Sequence, residues 1–64
     1  MSEIEIYRED LIRAGFRADF INTLNPYALC TLYELWDVTD EAEQTVNIEM
    51  FLDEYGFTRE EAIE

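Results

Sequence analysis

The twelve residues from Asn25 to Trp36, N-P-Y-A-L-C-T-L-Y-E-L-W, constrain the fold more than any other part of the chain. Asn25 is a helix-capping residue type. Pro26 suits the first helical position, where its φ is already set and its missing N–H would have no partner. Proline also pushes Asn25 out of the α region, so the helix must begin here. Leu29, Leu32, Tyr33 and Trp36 then recur at the three-and-four spacing of one helix face, which Ala28 and Leu35 widen. Glu34 is the only charged residue in the run. In a short chain, a helix this apolar is the one on which the others pack.

With 64 residues the chain is expected to form one domain, spanning 1–64. A chain of this size buries only about 60 % of the surface its unfolded form exposes, so each large side chain matters. At 48 % hydrophobic and 14 % aromatic, the composition is that of a folded protein rather than a disordered one. No apolar run approaches the roughly 20 residues that cross a bilayer. The start, M-S-E-I-E-I, lacks the pattern of a signal peptide, and a cytoplasmic location is expected.

Around the central helix, from about 26 to 36, the pattern predicts an all-α bundle of four to five short helices. Ile4, Tyr7, Leu11 and Ala14 share a helical stripe, and a helix is expected from about Tyr7, ending at Gly15. Phe20, Ile21 and Leu24 mark a second helix over residues 18–24. Thr39 or Asp40 is suited to cap a third element after Trp36, with Ile48, Phe51, Leu52 and Tyr55 facing inward and Gly56 as its stop. T-R-E-E at 58–61 matches a capping box that opens a last short helix. Two segments admit another reading. E-I-E-I alternates like a strand, and Val46 and Met50 fall on the wrong side of a straight helix. A break near Asn47, a two-stranded ribbon pairing 3–6 with 45–50, and an outward contact patch all accommodate that pattern.

Helix-stop chemistry appears twice, in L-I-R-A-G-F at 11–16 and L-D-E-Y-G-F at 52–57. The segment G-F-T-R-E-E-A at 56–62 resembles the first loop of ubiquitin-associated domains, where a helix ends in Gly-Phe and a Ser- or Thr-capped helix follows. In those domains the loop contacts ubiquitin, and a third helix completes the fold. The likeness covers seven residues, and capping chemistry alone produces the same pattern. No functional residue is carried over from it.

The chemistry available is narrow. The chain has no His and a single Cys, Cys30, so the usual base–nucleophile pairs, Cys/His zinc sites and intrachain disulfides are not expected. The two glycines are isolated, so there is no phosphate-binding loop. D-V-T-D-E-A-E at 37–43 lacks the central glycine and late glutamate of a calcium loop. Neither an enzyme, a cofactor nor a metal is expected.

Charge is the feature that points outward. Sixteen acids stand against four arginines, a formal net charge of −12. The first 17 residues hold four acids and three arginines, whereas residues 18–64 hold twelve acids and only Arg59. Such a chain repels nucleic acid and anionic membrane, and its natural counterpart is a basic protein surface. Asp37, Asp40, Glu41, Glu43, Glu49, Asp53 and Glu54 form the candidate acidic face. Carboxylates spaced by about 5 to 6 Å along a helix are placed to compete with phosphates for a basic groove. The expectation is therefore a non-enzymatic inhibitor of the DNA-mimic type, acting on a nucleic-acid-binding enzyme. By size and charge it resembles the anti-defence and host-takeover proteins of phages. The alternative is an interaction or assembly module, such as an adaptor, antitoxin-like partner or homodimeric scaffold. It would dock through Trp36, Val46 and Met50, with the acid serving solubility.

Overall fold

The structure is a computed structural model describing residues 2–64. Among the described residues five helices follow one another: α1 (Glu3–Ala14), α2 (Ala18–Thr23), α3 (Pro26–Trp36), α4 (Glu41–Tyr55) and α5 (Arg59–Ala62). The expected all-α bundle is what the chain forms. Leu29 and Leu32 of α3 are fully buried beside Ala28, and α3 packs on α1 at one flank and α4 at the other. Phe51, Leu11 and Ile21 join them from α4, α1 and α2 to make one continuous core.

Helix boundaries follow local chemistry. The Asn25 side chain accepts a hydrogen bond from the Ala28 N–H at 2.8 Å, with Pro26 at the first helical position. Asp40 caps α4 by accepting from the Ala42 N–H at 3.0 Å. Gly15 (φ 118°) and Gly56 (φ 79°) take the left-handed conformation in which an L side chain is strained. The residue after each glycine donates back to the last turn, Phe16 to the Leu11 carbonyl and Phe57 to that of Leu52. The two Gly-Phe motifs are therefore the same helix-ending structure, and both phenylalanines turn toward Phe20, with Phe57 edge-on at 4.8 Å.

The ribbon pairing 3–6 with 45–50 does not form. Both segments are helical: α1 begins four residues before the expected Tyr7, and residues 45–50 lie inside α4. In α1 the alternation of Ile4 and Ile6 yields to the stripe that continues into Tyr7 and Leu11, which leaves Ile6 exposed. Among the described residues, β pairing is limited to one bridge between Phe16 and Ile63. There the Arg17 N–H donates to the Ala62 carbonyl at 2.7 Å, and the Glu64 N–H to that of Gly15 at 3.0 Å. This clasp ties the segment after α5 to the α1–α2 turn. Asn47 does not break α4 either. Its Nδ2 donates to the Leu35 carbonyl at 3.3 Å, while Gln44 Nε2 donates to the Trp36 carbonyl at 2.7 Å. α4 thus supplies a donor to the Leu35 carbonyl and a second one to the Trp36 carbonyl, which also accepts from the Val38 N–H at 2.9 Å, and this fixes the α3–α4 hairpin. Among the described residues no helix is long and apolar enough to cross a membrane.

Candidate functional site

α4 presents the candidate surface, and its position follows from helix geometry. Ile48, Phe51 and Leu52 are buried against the rest of the bundle. At about 100° per residue, Val46 and Met50 then lie roughly 150–170° away from that buried centre. They are 54 % and 65 % exposed, large apolar side chains facing outward. The third reading of the sequence pattern, an outward patch on an unbroken helix, is the one that α4 adopts.

Acid surrounds this pair. Round the outer face the order is Glu49, Asp53, Val46, Met50, Glu43 and Glu54, all of them exposed. Glu49 and Asp53 stand one turn apart, about 6 Å along the axis, whereas Glu43 and Glu54 are separated by about 16 Å. Asp37, Asp40 and Glu41 extend the acid beyond the helix start and are also exposed. The Asp40 carboxylate is engaged in capping, and Glu49 pairs with Arg59 at 3.7 Å across two well-exposed side chains. Among the described residues, Asp37, Glu41, Glu43, Asp53 and Glu54 have no cation within ion-pair distance.

Trp36 does not join Val46 and Met50. It sits half-buried with its ring 5.5 Å from that of Tyr33, which in turn stacks on Tyr7 at 4.1 Å. This aromatic ladder fastens α3 to α1. The Tyr33 hydroxyl donates to Asp10 at 3.3 Å, and burial together with that carboxylate raises the phenol above its ordinary pKa. Tyr7 is raised as well, chiefly by the charge of Glu3. Both phenols therefore remain protonated at neutral pH and serve packing. Tyr55, expected to face inward, stacks on Phe51 at 4.3 Å but remains exposed at the edge of the core.

Between α3 and α4 runs a groove of about 250 Å³, lined by Thr31, Leu35, Asn47, Met50, Phe51 and Glu54. It lies along one side of the Val46–Met50 strip. Sequence reasoning assigned Leu35 to the core and passed over Thr31. Their place beside Met50 depends on how α4 seats on α3, for which one chain's periodicity carries no signal. Among the described residues Tyr27 is the most exposed of the large apolar ones, at 77 %. Its position, well off the stripe through Leu29 and Leu32, was readable in advance. A second hollow, of about 170 Å³, lies between Gly15, Trp36, Gln44 and Arg59. Among the described residues no three His, Cys, Asp or Glu side chains converge as metal ligands do. Comparison with protein families, with curated proteins and with solved structures finds no match for this chain.

Proposed function

We propose that this chain is a non-enzymatic binding protein, a small acidic inhibitor that covers a basic nucleic-acid-binding surface of another protein. The observation that carries this reading is the outer face of α4. Glu43, Asp53 and Glu54 share one exposed surface there, without cationic partners among the described residues, and Asp37 and Glu41 continue the acid past the helix start. A basic groove that binds such a face sheds the counterions it would shed on binding DNA, so carboxylates and phosphates compete for the same residues. Inhibitors of this kind suit a phage acting on a host nuclease, polymerase or CRISPR effector.

A second reading has its own support in Val46 and Met50, which are apolar, exposed and adjacent on the same face. A partner that engages them gains affinity from apolar burial, which salt does little to weaken. This is the surface an adaptor, an antitoxin-like partner or a homodimeric scaffold would use.

The test is capture of a nucleic-acid-binding protein from bacterial lysate at low salt, with elution by a salt step and competition by duplex DNA. A bait carrying Glu43→Gln, Asp53→Asn and Glu54→Gln runs in parallel. The first reading requires DNA to displace the captured protein and the neutralised bait to lose it. A partner that ignores DNA, and is retained by the neutralised bait, refutes it.

A further inference from the structure

We propose that the α3–α4 groove and the Val46–Met50 strip together form a seat for a basic amphipathic helix of the partner. The inference deepens the acidic-face reading and rests on it for the sign of the partner's charge. Val46 and Met50 are four residues apart and so present side chains about 6 Å apart along the axis, the spacing at which apolar residues recur on a facing helix. Beside them the groove of about 250 Å³ has Leu35, Met50 and Phe51 in its walls, with Thr31, Asn47 and Glu54 at its polar positions. This gives a row of apolar contacts with one adjacent recess, the arrangement in which a helix docks by its three-and-four stripe and inserts an anchoring side chain. Met50 is suited to such a wall because its unbranched thioether adapts to the shape it meets.

Charge selects the occupant. Glu49 and Asp53 flank the strip on one side, and Glu43 and Glu54 on the other. A second copy would bring the same carboxylates face to face, between chains that each carry a formal charge of −12. Like charges opposed across an interface disfavour association, so this face selects against itself. A helix with an apolar stripe bordered by Lys or Arg meets both the recess and the rim. α4 is about 22 Å long, enough to receive about 15 residues of such a helix.

The probe is a synthetic 15-residue peptide with Leu at the three-and-four positions and Lys elsewhere, blocked at both ends. Two controls replace every Leu by Ala or every Lys by Gln. Binding is followed by amide chemical shifts of the full chain and by titration at low and moderate salt. The Lys/Leu peptide is expected to shift Thr31, Leu35, Asn47, Met50 and Glu54. The Val46→Ala, Met50→Ala pair should weaken it at least about tenfold, because the truncations remove several methylene-sized groups from the contact. Both positions are exposed, so the variant should keep the parent's spectrum outside the site. The Lys/Ala peptide should bind more weakly and show no response to that variant.

Each other outcome is decisive. Shifts confined to other surfaces overturn the seat; affinity unchanged in the Val46→Ala, Met50→Ala variant while rim neutralisation abolishes binding also overturns it but leaves the acidic face standing. Equal binding of the Gln/Leu peptide overturns the basic occupant. A dimer that dissolves in the Met50→Ala variant shows a second copy in the seat and also overturns it. No binding by either Lys peptide at low salt counts against seat and acidic face together.

Discussion

Neutralising the last turn of α4, by Asp53→Asn together with Glu54→Gln, should raise the stability of the fold. Helix C-termini carry partial negative charge, and a carboxylate within the last turn is unfavourable by about 0.3–1 kcal/mol. Asp53 and Glu54 both stand in that turn, which contains no basic residue. Asp53 also faces Glu49 one turn back, a like-charge pair that costs about 0.2–0.5 kcal/mol more. The Arg59 contact at 3.7 Å draws off part of that repulsion without removing it. These contributions sum to roughly 1–2 kcal/mol, and at about 4–8 °C per kcal/mol for so small a domain the Tm should rise by roughly 4–16 °C at low ionic strength. The assay is thermal unfolding by circular dichroism at low salt and again at about 1 M salt, where the Debye length falls to about 3 Å and the gain should largely vanish. A variant whose Tm at low salt equals or falls below the parent's refutes the reasoning. So does a gain that survives high salt. If the gain appears while capture of a basic partner is lost, the two carboxylates lower stability and raise affinity. Surface charge placed against helix physics is what selection for binding would retain.

Added salt should raise the Tm of the parent between low and moderate concentration, because screening relieves repulsion among the charges behind the net −12; a flat or falling Tm contradicts this. Gly56→Ala, at φ 79° with open space around the new methyl, should cost about 1–2 kcal/mol from backbone strain alone, read by urea unfolding, and should leave the α5 capping box intact. Phe51→Ala removes a ring that is 1 % exposed and should cost about 3–5 kcal/mol, leaving a chain without a cooperative thermal transition. The Glu61 carboxyl lies below its ordinary pKa because the Thr58 N–H donates to it at 2.9 Å, with the Thr58 hydroxyl contributing further. Its stabilisation is therefore present above the unfolded carboxylate pKa and lost as pH falls through the lowered folded value. The Tm gap between parent and Glu61→Gln should close on acidification, and a gap that widens instead would contradict the sign.

How far the fold was legible can be traced to where its determinants lie. Asn25, Pro26 and the Leu29–Trp36 stripe set the limits of α3 with local chemistry, and the helix runs over the residues expected. Gly15, Gly56 and the Thr58 box were equally local and end or begin the helices at their positions. The start of α1 was not legible, because E-I-E-I satisfies the strand and helix periods together. Burial of Ile4 and Tyr7 against the core decides between them. Asn47 was opaque for a different reason. It suits a helix break until its partner, the Leu35 carbonyl, is known to lie across the hairpin.

For the site, periodicity separated what geometry joins. Read along the chain, the acidic run and the apolar outliers Val46 and Met50 were rival explanations, each with its own residues. Wound at 3.6 residues per turn they interleave on one surface, while Trp36, grouped with them for its hydrophobicity, is drawn off to α1 by Tyr33 and Tyr7. This changes what a salt titration can show. A partner bound by carboxylates alone loses affinity steeply as salt rises, and one bound by apolar contact alone barely responds. A partner that covers the whole face loses affinity down to a floor set by Val46 and Met50. That floor should drop when Met50 is truncated, whereas the slope above it should flatten when Asp53 and Glu54 are neutralised. Floor and slope moving independently in the two variants would demonstrate one composite surface. A slope that changes with Met50, or a floor that changes with the carboxylates, would mean that the two sets of residues do not divide the binding energy in this way.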